Sequence, residues 1–116
     1  MEVKESEKQV YVARVENYLG LINQINLYLD KNDREMVRLK YKELKNGLKK
    51  DYHIYSTQRE KAKISKYGIT MYYSLIMQPY VNITVRTNDS LSKIKQAVNV
   101  LEIELRDIMF DINRVL

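Results

Sequence analysis

The chain has 116 residues, 20 Lys and Arg against 15 Asp and Glu, three glycines, one proline and no cysteine. That length suits one domain able to bury a core without staples, and the shortage of Gly and Pro argues against a β-sandwich or barrel. Without cysteine there is no disulfide and no thiolate metal site.

Residues 1–7 read as a charged tail with no apolar run and no secretory signal. A single helical-bundle domain is expected over 8–116, in the cytoplasm. The first helix is placed at about 8–30, where Tyr11, Val15, Tyr18, Ile22, Ile25 and Leu29 recur at steps of four and three. Val12, Leu19 and Leu21 widen that face, so contact from more than one side is expected. Gly20 lies mid-helix, at about 1 kcal/mol relative to Ala. A close helix crossing there would explain it. Asp30-Lys31-Asn32-Asp33 then forms a polar turn, with Asn32 or Asp33 as the next cap.

The second helix starts at Asp33 or Arg34, with a seam at Val37, Tyr41, Leu44 and Leu48 that Tyr52 and Tyr55 extend imperfectly. The short turn makes the two an antiparallel hairpin. A break is expected around Tyr55–Gln58, then a further helical piece over Arg59–Lys66 and a stop at Gly68.

Residues 67–85 are uncharged but contain Gln78, Pro79, Asn82 and four tyrosines, too polar for a membrane span. A third helix over about 69–86, kinked at Pro79, is expected. Val81–Thr87 also alternates like a strand, which keeps a small β element as the alternative.

Asn88-Asp89-Ser90 caps the last helix, about 90–115. Leu91, Ile94, Val98, Leu101, Leu105, Ile108, Ile112 and Val115 form an unbroken heptad seam there. The fold class is therefore all-α: an antiparallel bundle of three to four helices with coiled-coil-like packing. Glu102, Glu104 and Asp111 flank the last seam, and Arg38, Lys40 and Lys45 flank the second. Opposite charges at such positions choose partner and orientation, so the two sets are expected to face each other.

Residues suited to catalysis are scarce. His53 is the single histidine, beside Lys49, Lys50 and Asp51, and reads as an exposed helix residue. The glycines at 20, 47 and 68 stand apart, so no phosphate-cradling loop exists. Glu104, Asp107 and Asp111 share a helix face, but the Glu-x-x-His repeats of a di-iron bundle are missing. No catalytic residue, cofactor or metal is expected, nor a small-molecule substrate or membrane.

Residues 31–66 carry twelve basic and five acidic residues, whereas 1–30 and 89–116 are mildly acidic. Lys42, Lys45, Lys49, Lys50, Arg59, Lys61, Lys63 and Lys66, with Tyr52 and Tyr55 among them, form the candidate binding surface. Lysines that neutralise phosphates beside aromatics that stack on bases suit nucleic acid. A helix-turn-helix over Ser56–Ile76 fails on the spacing from Ala62 to Gly68 and on the apolar phase after it. Asp33–Tyr41 resembles the leading helix of region four of sigma-like factors over nine residues. No recognition helix follows, and no family is assigned.

Two functions are carried forward. The first is a non-enzymatic interaction or assembly module that acts through its long helices on a protein partner or on itself, as a homo-oligomer. The alternative is a nucleic-acid-binding accessory protein that uses the basic region 38–66.

Overall fold

The computed structural model describes residues 5–57 and 84–115, which fold into three packed α-helices. They are α1 (Glu5–Asp30), α2 (Arg34–Thr57) and α3 (Leu91–Val115). The side chains of Tyr11, Tyr55, Asp111, Ile112 and Val115 fall outside this description, as do Arg59–Lys66, Gly68 and the expected kink at Pro79.

The α1–α2 turn satisfies both helix ends within three residues. Asn32 adopts a left-handed backbone, φ 56°. The Asn32 N–H donates to the Leu29 carbonyl at 3.1 Å, and the Asp33 N–H to the Tyr28 carbonyl at 3.0 Å. Those two bonds are the Schellman pattern, with Asn in the place glycine usually takes. Asp33 then caps α2: its Oδ1 accepts from the Met36 N–H at 3.2 Å. Of the two expected cap residues, Asp33 is the cap and Asn32 closes the preceding helix.

So tight a reversal makes the pair antiparallel and sets its register. Arg14 meets Asp51 and Tyr18 lies against Gly47. In both pairs the residue numbers sum to the same value, as opposed positions in an antiparallel hairpin must.

α1 packs broadly on both α2 and α3, while α2 and α3 meet each other far less. This accounts for the wide apolar arc of α1, since two neighbours cover it. Val15, Tyr18, Leu21, Ile22 and Ile25 are buried, with Val12, Leu19 and Leu29 at the margin. α2 contributes Val37, Tyr41, Leu44 and Leu48. From α3 the seam residues Ile94, Val98, Leu101, Leu105 and Ile108 are buried, and Leu91 is half-buried. Each such aliphatic side chain contributes about 1.5–3 kcal/mol by leaving water.

Thr84–Ser90 is neither helix nor strand. The expected third helix to about 86 therefore does not include Thr84, Val85 and Arg86. Two donors from α2 hold this strap instead. The Tyr41 hydroxyl donates to the Val85 carbonyl at 2.7 Å, and Lys45 Nζ donates to the same oxygen at 3.0 Å. Those bonds satisfy a carbonyl that would otherwise be left over without a helix ladder. Asp89 closes a turn, its Oδ2 accepting from the Arg86 N–H at 2.7 Å, and Ser90 Oγ caps α3 by accepting from the Lys93 N–H at 3.3 Å.

Three further expectations are corrected. α1 starts at Glu5 rather than near residue 8, so the acid-rich stretch read as tail supplies its first turn. Three of the flanking charges of α2 and α3, Lys40, Lys45 and Glu102, are engaged locally, because the two helices barely face each other. Glu102 pairs with Arg106 at 3.1 Å and Lys40 with Glu43 at 3.4 Å, each within one helix, and Lys45 holds the strap. Gly20 marks no close crossing: a Cβ there would meet nothing within 4 Å. The close approach is at Gly47, where a Cβ would lie 2.9 Å from Tyr18 Cε1.

The two glycines should respond oppositely to alanine. Gly20→Ala is expected to raise stability by about 0.5–1 kcal/mol, through helix propensity alone. Gly47→Ala gains the same propensity but must displace a buried ring, and should lower stability by about 1–3 kcal/mol. Denaturant titration of both variants measures the contrast.

Burial, and then the negative charge of Asp89, pushes the Tyr41 hydroxyl from its ordinary 10.0 up to about 12. The folded chain thus holds a proton that the unfolded chain releases first. Stability from this group is whole below pH 10 and is lost as pH rises towards 12. Tyr41→Phe should flatten that alkaline decline, and should cost about 1 kcal/mol at neutral pH through the lost bond to Val85. Thermal melts of both proteins across the alkaline range provide the comparison.

Candidate interaction surfaces

Three places could meet a partner: a hollow between α1 and α2, the basic outer face of α2, and the outer face of α3.

The cavity is built around Asp51. The α2 seam steps through Val37, Tyr41, Leu44 and Leu48, and the next core position falls on an acid. Asp51 is 5% exposed. Arg14 Nη1 donates to its Oδ1 at 3.3 Å, and the Tyr18 hydroxyl donates to Oδ2. The carboxylate is therefore both charge-paired and hydrogen-bonded, as a buried charge must be. Beside it Arg14, Asn17, Tyr18, Gly47, Lys50 and Asp51 line an open hollow of about 270 Å³. The missing Gly47 side chain makes room for the Tyr18 ring, and the ring in turn delivers its hydroxyl to Asp51. The strongest polar groups of this hollow thus bond to one another. Its principal role is to lock α1 against α2.

The α2 face opposite the core carries Leu39, Lys42, Glu43, Asn46, Lys49, Lys50 and His53, all exposed. Lys42, Lys49 and Lys50 share one surface, interrupted by Glu43. Lys45 does not stand free there: it is half-buried, bonded to Val85, and its Nζ lies 5.6 Å from the Tyr41 ring centroid. Tyr52 is half-buried and meets His53 edge-on, ring centroids 5.9 Å apart. Arg59, Lys61, Lys63, Lys66 and the Tyr55 side chain lie outside the described residues.

α3 has a second face that the sequence reading passed over. Val100, Ile103 and Phe110 are 55%, 63% and 64% exposed. Ile103 and Phe110 are seven residues apart, and Val100 lies one turn before Ile103. At 100° per residue all three fall roughly opposite the buried seam, along about 15 Å of helix. Heptad counting hid them, because the stronger inner seam absorbs the period. Their signal is apolar residues left over once the seam is assigned. Exposed Lys93 and Lys95 stand on opposite flanks of this face, because residues two apart do not share a helix face, and exposed Asp107 lies one turn after Ile103.

Among the described residues no group of three or more His or acidic residues is placed to hold a metal. None of the described helices is long and apolar enough to cross a membrane. Comparison with protein-family models, curated proteins and solved structures finds no match to this chain.

The Asp51 cluster should be structural. Asp51→Ala removes the carboxylate that Arg14 and Tyr18 both reach, and is expected to cost about 2–4 kcal/mol. Asp51→Asn keeps an acceptor and should cost less. Urea unfolding curves of the two variants rank the losses.

Proposed function

We propose that this protein is a non-enzymatic helical interaction module, and that it binds a protein partner through the outer face of α3. The observation that carries the reading is the line of Val100, Ile103 and Phe110 on that face. Singly exposed apolar residues are ordinary, but several aligned on one helix face are typical of surfaces that bind protein. The face is rigid, since the opposite side of the same helix is anchored in the core. It therefore meets a partner with little ordering to undergo, which favours affinity.

The wide apolar arc of α1 is taken up by packing against α2 and α3. Lys42, Lys49 and Lys50 on the α2 face keep nucleic acid as a second reading, on the ground that three exposed cations share one surface.

The two readings separate on recovery of tagged protein from its own cells, with and without nuclease, beside the variant Ile103→Asp. Ile103 is exposed, so the variant should melt within about 0.5 kcal/mol of the parent. The expected result is a bound protein, whether foreign or an untagged copy of this chain, that survives nuclease and is lost from Ile103→Asp. Material that nuclease releases, and that Ile103→Asp retains, would replace this reading with the nucleic-acid one.

A further inference from the structure

The charges of α2 are sorted by flank. Arg34, Arg38, Lys42, Lys45 and Lys49 follow one another at steps of four, four, three and four residues. At 100° per residue these cations, with Tyr52, share an arc of about 80° along about 22 Å of helix. No other residue between 34 and 52 falls in that arc, so it holds no acid and no aliphatic side chain. Lys50 stands about 100° from Lys49, across the exposed face. Lys40 lies on the far flank, paired with Glu43. Glu35 borders the row on its outer side.

Lys45 is the inner edge of the row, with its Nζ donating to the Val85 carbonyl at 3.0 Å. The other four are not engaged in this way. Among the described residues no acid pairs with Arg34, Arg38, Lys42 or Lys49. Arg38 Nε is buried without a hydrogen-bond partner. Arg34, Lys42 and Lys49 are exposed, and Arg38 is half-buried. Like charges three or four residues apart repel one another on a helix, and an anion laid along the row relieves that repulsion.

We propose that this row binds the phosphate backbone of nucleic acid, independently of base sequence. The inference gives the second reading of function a defined site. It uses a helix other than α3, so it stands or falls apart from the α3 face.

The ligand class follows from what the arc holds and lacks. Surfaces that bind protein centre on apolar and aromatic side chains, with charge at the rim. This arc is charged throughout, and Tyr52 at its end is half-buried. A flat anionic surface such as a membrane would meet the outermost arc of α2 first, where Glu35, Leu39 and Asn46 stand. A strand of phosphates is a narrow line of regular charge, and a narrow row of cations about 6 Å apart lies along it. Contacts of this kind set position and do not read bases.

Fluorescence anisotropy on the intact protein tests this, with a labelled duplex of about 20 base pairs and a labelled single strand of about 20 nucleotides. At about 50 mM salt a micromolar dissociation constant is expected for at least one of them, and the stronger binder identifies the form preferred. With four cations available, the logarithm of affinity should fall with that of salt at a slope of about −3. Lys42→Glu with Lys49→Glu should weaken binding about tenfold or more and reduce that slope by about 2. Lys50→Glu with Lys95→Glu makes the same change of net charge off the row, and should weaken binding less than about threefold. All four lysines are exposed, and circular dichroism verifies that each variant keeps its helices.

No binding of either oligonucleotide at low salt overturns the proposal. Equal losses in the two double variants overturn the row as the site. An affinity that differs more than about tenfold between duplexes of unrelated sequence overturns backbone recognition. Polyglutamate that competes as well as unlabelled strand at equal charge overturns phosphate as the ligand, and makes the row a site for acidic protein. Ile103→Asp should bind oligonucleotide as the parent does, so failure here leaves the α3 reading untouched.

Discussion

The reversal at Lys31-Asn32-Asp33 decides which residues of α1 and α2 can ever meet. Two helices joined by so short a turn have no freedom to slide, so their register follows from the chain itself. Asn32 takes the left-handed conformation that closes α1, and Asp33 both completes that closure and opens α2. Everything on the α1–α2 interface is a consequence. Tyr18 must lie over Gly47, and Arg14 must lie beside Asp51. A side chain at 47 or an apolar residue at 51 would call for a different arrangement around Tyr18.

The charged cluster at Asp51 does different work from the apolar core. A buried carboxylate costs several kcal/mol to desolvate, and its partners offset that cost without large surplus. What it adds is selectivity. Arg14 and the Tyr18 hydroxyl reach Asp51 in one register, and a hairpin slipped by a turn would bury the acid unpaired. The strap at Val85 is a smaller version of the same logic. Tyr41 and Lys45 converge on one carbonyl where the chain has no ladder to use, and they tie the approach to α3 down onto α2.

With α1 covered on two sides, the apolar surface left for binding is not where the widest apolar arc lies. On the proposed reading it lies on the back of α3, whose inner seam is buried from Ile94 to Ile108. A helix anchored on one side and apolar on the other is a stiff presentation surface. The lysines of α2 form a separate surface, and they are partly diverted: Lys45 is bound to the strap and Lys40 to Glu43.

The all-α class, the position of the first turn, the α3 cap and the inner heptad seam were all legible in the sequence, because each depends on residues close in the chain. Period 3.5 in Leu91–Ile108 and the polar run at 30–33 are local signals, and local physics is enough to read them. Three things needed the folded chain. One is which helix is central, since a wide apolar arc says that neighbours exist and not which they are. Another is which glycine is crowded: Gly20 and Gly47 look alike in sequence, and only the packing puts an aromatic ring against the second. The last is where Lys45 and the flanking charges go. Pairing of that kind requires two helices to face each other, and α1 stands between α2 and α3. Short-range propensity acts along one helix, whereas these outcomes are settled by which surfaces the tertiary arrangement leaves in contact.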